Sequence, residues 1–253
     1  APADRGELLR RVAVLAAVSN RPVLAVQAYR ELVGLPGAPI ALRADAAKGL
    51  AVVAASPGTE IDGDSVIATL QSVLASPGID RGRRLDLLAA LSGLADTLGR
   101  NQLLVDTEKQ RQLLLDPGDP AWAESMERLA SGYDRLARPA QTIEVMQTLL
   151  AHTRAPADRR RYLTRIAVAA GQIGDHARAA AAFDALIALG ATDWETYAGL
   201  GRALRAAGDC PRAIAAFREA RQRGGDATNL LYSGFCYDTL DKLRQHPEIA
   251  KFI

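Results

Sequence analysis

The sequence predicts an all-α chain, a solenoid of about seven helical hairpins, and three observations predict it. Hydrophobic residues make up 49% of the 253 residues but aromatic ones only 5%, with Ala and Leu supplying most of the apolar mass. Such small and straight side chains favour closely packed helices over a sheet-based core. Residues 1–5 read APADR, and so do residues 155–159. The match continues at that offset: Leu9, Val12, Ala13 and Ala16 fall on Leu163, Ile166, Ala167 and Ala170, and Ala25, Tyr29 and Leu32 on Ala179, Phe183 and Leu186. A shorter period is cleaner still, because Gly174-Asp175 returns 34 residues on (174 to 208) as Gly208-Asp209. Ala179 and Phe183 return with it as Ala213 and Phe217.

The elements follow in order. The offset match places a first hairpin on Leu9–Ala16 and Ala25–Leu32. Two helices are expected at 41–55 and 64–75, joined by Ser56-Pro57-Gly58. Pro57 and Gly58 stop the first, and Asp62 or Asp64 starts the second. Around 85–114 the first helix of a hairpin fits, with Gly99 at the turn, whereas its second helix (Leu103, Leu104, Glu108, Arg111) departs from the apolar stripe. The best-matching repeats are 122–155, 160–193 and 194–227, with divergent hairpins over 6–120 and an incomplete last repeat over 228–253. In that last repeat Gly234 and Tyr237 are in place, and Pro247 sits where the first turn of its second helix should be. The whole is expected to be one solenoid domain, 1–253, and a fragment or processed form of a longer protein.

Within the clearest copy, Tyr197 precedes Leu200-Gly201, Gly208-Asp209 makes the turn, and Ala213, Phe217 and Ala220 form a small–aromatic–small stripe. Gly201 and Ala213 are small where two helices cross, and Phe217 is expected to fill the gap between neighbouring hairpins. Gly208 suits a left-handed helix end and Asp209 the cap of the next helix. A hairpin of this kind exposes an apolar face that its neighbour covers, so the array must stack. This pattern resembles the tetratricopeptide repeat (TPR) family. The resemblance implies a right-handed superhelix whose first helices line a concave binding face. It speaks for fold more than for function, because the scaffold serves many partners.

Little in the sequence points to catalysis. His152, His176 and His246 fall at a loop, a turn and near the chain end. Gly199-Leu-Gly201 superficially matches a phosphate loop, but no strand precedes it. Asp119 and Glu124 are expected as helix-start charges. No catalytic residue, cofactor or metal site is assigned, and the chain is expected not to be an enzyme. With 31 basic and 29 acidic residues, the net charge of +2 signals neither nucleic acid nor a membrane surface, and no apolar run is long enough to span a bilayer. The two cysteines, Cys210 and Cys236, lack metal-site spacing. Stacked hairpins bring their segments to one end of the array in adjacent layers. A disulfide is then possible, worth roughly 3 kcal/mol and pointing to an oxidising compartment. Two free buried thiols are the alternative.

The resemblance assigns candidate binding residues on the first helices. Glu124, Glu127, Arg128, Ser131, Asp134 and Arg135 are expected on the exposed face in one copy, and Arg161, Thr164, Arg165, Val168 and Gln172 in the next. Glu195, Ala198, Arg202 and Arg205 follow, then Leu231, Tyr232, Phe235 and Asp238. Arg128, Arg165 and Arg202 are expected as a ladder ending at Tyr232 and Phe235, fit for an acidic peptide or an acidic polysaccharide. The Lys and Asn pair with which some family members clamp a C-terminal carboxylate is not at the matching positions. The run 232–238, YSGFCYD, is similar to repeat regions of bacterial exopolysaccharide-export and phage-adsorption outer-membrane proteins. That similarity implies a soluble periplasmic scaffold. The alternatives are a cytoplasmic peptide-binding module and a helical domain accessory to a cell-wall enzyme.

Overall fold

A computed structural model describes residues 2–56 and 61–226. Among them are twelve α-helices and no strand. Contacts divide the chain into two compact units, Ala1–Leu136 and Ala137–Ile253, each treated by itself below.

The N-terminal unit carries α1 (Pro2–Val18), α2 (Pro22–Gly34), α3 (Ile40–Ala54), α4 (Gly63–Leu74), α5 (Arg81–Thr97), α6 (Asn101–Gln112) and α7 (Pro120–Arg135). The C-terminal unit carries α8 (Pro139–His152), α9 (Pro156–Gln172), α10 (His176–Ala188), α11 (Trp194–Ala206) and α12 (Cys210–Gln222). Within each unit every helix packs on the next, so first helix, second helix and the following first helix build one continuous apolar layer. The expected seventh hairpin, 228–253, lies outside the described residues.

The turns inside the hairpins share one construction. Asn20, Gly99, Ala137, Gly174 and Gly208 all have positive φ, between +52° and +85°. At four of them the next amide reaches back across the helix end: Arg21 to Ala16 O, Arg100 to Ala95 O, Asp175 to Ala170 O and Asp209 to Leu204 O, each at 2.8–2.9 Å. These are Schellman closures, which satisfy carbonyls the helix itself leaves open. Ala137 holds this conformation with a Cβ, which costs about 1 kcal/mol. Ala137→Gly is therefore expected to raise stability by about that amount, read as a higher urea midpoint at unchanged slope.

Capping follows the sequence. Asp62, Asp80, Asp175, Asp193 and Asp209 each accept an amide hydrogen from the first turn that follows. Asp62, rather than Asp64, starts α4. Burial pushes the Asp193 carboxyl up, and the Thr196 hydroxyl and amide donating to it outweigh that, leaving it below the usual carboxylate range. A depressed carboxyl favours the fold above its unfolded value, about 3.9, and that contribution fades as pH falls through the folded value. Asp193→Asn is expected to narrow the stability gap to wild type as pH drops below about 4, checked by thermal melts from pH 7 to pH 3.

The second-helix stripe recurs in all six second helices once the turns are superposed. Ala25, Tyr29 and Leu32 on α2 correspond to Val66, Leu70 and Val73 on α4, and to Thr142, Met146 and Leu149 on α8. In α12 Phe217 is fully buried, and a Cβ on Gly201 would stand 2.7 Å from its ring. Gly201 belongs to the same hairpin, and the following hairpin, whose gap Phe217 is expected to fill, lies outside the described residues. Two of its counterparts reach across to the next hairpin. The Phe183 ring lies against Gly199 of the following α11, and Tyr29 against Gly49 of the following α3. Gly199 and Gly201 are thus glycines for helix–helix approach, not parts of a phosphate loop.

In α6 the stripe is polar. Glu108 and Arg111 stand where α12 has Phe217 and Ala220, and both are buried. Arg111 Nη1 donates to both Glu108 oxygens at 3.0 Å, and the hydroxyls of Ser92 on α5 and Ser125 on α7 donate to the same carboxylate. The departure seen in the sequence is therefore a substitution within the register, not a loss of the hairpin.

Candidate binding face

The N-terminal unit holds Arg128 and Arg135 on α7. Arg128 Nε donates to Glu124 at 3.2 Å, and Arg135 pairs with Asp96 on α5. Both guanidiniums are thus engaged in ion pairs within this unit. Asp119 takes no capping bond from α7 but accepts the Asp116 amide at 3.0 Å.

The C-terminal unit holds Arg165 on α9 and Arg202 and Arg205 on α11. Arg161, Thr164, Val168 and Gln172 are exposed on α9, with Arg165 half-buried among them. Glu195 and Arg202 are exposed on α11 and Arg205 is half-buried. Ala198, expected on this face, is fully buried, because α10 packs on α11 there with Phe183 against the adjacent Gly199.

The turns fix the register of the proposed ladder. α9 ends before Gly174 and α11 before Gly208, so the α11 counterpart of Arg165 is Gly199, and the α9 counterpart of Arg202 is Val168. Arg165 and Arg202 are therefore one helical turn apart in register instead of equivalent rungs. Val168, at the register position of Arg202, is apolar and 56% exposed, so the exposed positions of the two helices are mixed in character. Next to this stripe the Arg223 guanidinium stacks on the Tyr197 ring, 4.4 Å from its centroid, and donates to Tyr197 Oη at 3.1 Å.

Tyr232, Phe235 and Cys236 lie outside the described residues. Cys210 is the first residue of α12 and is disulfide-bonded. His152 is the last residue of α8 and His176 the first of α10, helix ends rather than a loop and a turn. Among the described residues no group of three His, Cys, Asp or Glu is placed to hold a metal ion, and no helix is long and apolar enough to cross a membrane. An open cleft of about 380 Å³ in the N-terminal unit is lined by Arg81, Leu85, Leu115, Asp119 and Pro120. Arg81 spends its guanidinium there on the Leu114 carbonyl, with Nε at 3.0 Å.

No family model matches the chain, and no curated protein matches it. Solved structures do. A tetratricopeptide repeat protein from Parabacteroides merdae is similar over 96% of this chain and 88% of its own, at 16% identity and a TM-score of 0.52. A Podospora anserina putative kinesin light chain with TPR-like repeats is similar over 74% and 95%, at 18% identity and a TM-score of 0.51. MamA from Desulfovibrio magneticus is similar over 68% and 91%, at 15% identity and a TM-score of 0.50. At such identities the likeness concerns fold, and the fold is that of TPR-like helical hairpins, as the repeat pattern predicts.

Proposed function

We propose that the chain is a non-catalytic protein-interaction scaffold, and that its binding face is the mixed stripe of α9 and α11. The observation that carries this is the surface of those two helices. Their inner sides are used up in hairpin packing, while Val168 and Arg202 stand exposed and Arg165 and Arg205 half-buried, an apolar residue and three cations on two successive first helices. Such a surface suits an acidic segment with an apolar residue at its centre. An acidic polysaccharide would use the same cations without the apolar centre.

The setting we infer is the bacterial envelope, with the chain as the soluble periplasmic part of an exopolysaccharide-export or phage-adsorption protein. Two features support this reading: the disulfide at Cys210, which belongs to an oxidising compartment, and the similarity of the run 232–238. The pairing proposed is Cys210 with Cys236, the two cysteines of the sequence. Mass spectrometry of alkylated protein, with and without reductant, tests it on material made in its natural host. A native disulfide is the expected result. Two alkylated thiols would overturn the periplasmic setting and favour the cytoplasmic peptide-binding alternative.

A further inference from the structure

We propose that the Glu108–Arg111 pair is a register lock: it admits α5 and α7 as the neighbours of α6 and turns away every other first helix, of this chain or of a second copy. The need for such a lock comes from the repetition itself. The hairpins bury the same few kinds of apolar side chain, and Ala25, Tyr29 and Leu32 return as Ala179, Phe183 and Leu186. Apolar burial has no direction, so it favours a second helix docked on the wrong first helix nearly as well as one docked on the right one. Misassembly and exchange of equivalent elements are characteristic failures of repeat proteins.

Glu108 breaks that equivalence. Its carboxylate is fully buried and takes one donor from each of three helices: Arg111 Nη1 from α6, the Ser92 hydroxyl from α5 and the Ser125 hydroxyl from α7. The two hydroxyls stand where the other first helices with superposable turns offer none. At the place of Ser92, seven residues before the turn (92 to 99), α1, α7, α9 and α11 have Ala13, Ala130, Ala167 and Gly201. At the place of Ser125, twelve residues before the turn (125 to 137), α1, α5 and α9 have Leu8, Leu87 and Tyr162. α11 has Thr196 there, and that hydroxyl already donates to Asp193 at 2.7 Å. On any of these helices a docked α6 would bury Glu108 without a hydroxyl it needs, and a buried carboxylate short of donors is strongly disfavoured. The right neighbours are thus selected by the penalty at the wrong ones.

A second observation separates selectivity from strength. Arg111 Nε is buried with no acceptor, and no other charged residue among the described ones is buried. Strength alone would be served by apolar residues, such as the Phe217 and Ala220 that fill the same two places in α12. The lock is independent of the α9–α11 face and stands or falls without it.

The test is refolding of the full chain from urea, as wild type and as Glu108→Leu/Arg111→Leu, at a low and a high protein concentration. Sedimentation velocity sorts the products, and a proton–nitrogen correlation spectrum counts the resonances of each backbone amide. Wild type is expected to return to the same species at both concentrations, with one resonance per amide in α5, α6 and α7. The double variant is expected to melt no lower than wild type and yet to refold less uniquely: its yield of the wild-type species falls about twofold or more. New dimers at high concentration report exchange between copies, and extra resonances at low concentration report mis-stacking within one copy; either result supports the lock. Glu108→Met/Arg111→Met, closer in side-chain shape, takes its place if the leucine pair does not fold. The same single product from wild type and from the folded variant would overturn the proposal. Failure of both variants to fold would overturn it as well, because the pair would then supply strength and not selectivity.

Discussion

Replacing Phe217 by Ala is expected to cost about 3–5 kcal/mol, the largest single loss of any aromatic among the described residues. The ring is fully buried, and the wall opposite it is Gly201. Glycine has no side chain that could move into the space. The cavity therefore stays open, and its full penalty is felt. Phe183 offers the internal comparison, because it occupies the same register position but is only partly buried. Phe183→Ala should cost clearly less. Guanidinium unfolding of both variants reads the difference as a shift in midpoint at constant slope. A loss below about 1 kcal/mol for Phe217→Ala would contradict the packing described for α12.

The second large effect concerns the buried pair of α6. Glu108→Gln leaves the Arg111 guanidinium buried without its counter-charge and is expected to destabilise by about 3–5 kcal/mol. The double variant Glu108→Leu/Arg111→Leu should behave differently. It restores to α6 the apolar stripe of its five counterparts, and Ser92 and Ser125 can turn their hydroxyls to carbonyls of their own helices. Stability equal to wild type, or up to about 4 kcal/mol above it, is expected for the double variant. Thermal melts of Glu108→Leu, Arg111→Leu and the double variant form a cycle that isolates the pair. Loss in the double variant equal to that of Glu108→Gln would mean that α6 does not share the register of the other second helices.

These two sites also show what the sequence makes legible. Gly208-Asp209, Ala213 and Phe217 announce a turn, a cap and a packing stripe in one short stretch, because each residue type answers one local demand. The same demands are met less visibly elsewhere. Asn20 and Ala137 take the positive-φ place that glycine marks in the other turns, so those hairpins carry no glycine signal. Glu108 and Arg111 read as surface residues because a charge is buried only when its partners are assembled, and two of those partners, Ser92 and Ser125, come from other helices. The residue types of the proposed binding face were legible, and their register was not. Arg165 and Arg202 are 37 residues apart (165 to 202) whereas their turns at Gly174 and Gly208 are 34 apart (174 to 208), and the difference turns two apparent rungs into a stagger of one helical turn within the C-terminal unit. Ala198 failed as a surface position for a related reason. A helix period marks which side faces inward, but only the neighbouring helix decides how far round the contact extends.

The measurement that bears most directly on the proposed function is anisotropy of a labelled Glu-rich peptide carrying one central Leu. It is titrated with wild type and with the triple variant Arg165→Glu/Arg202→Glu/Arg205→Glu, in low salt and again in salt near 0.15 M. The account predicts saturable binding to wild type that weakens as salt screens the charges, and at least a tenfold loss in the triple variant with its melting temperature unchanged. No binding to wild type, or equal binding to both proteins, would contradict the assignment of the α9–α11 stripe as the partner-binding face.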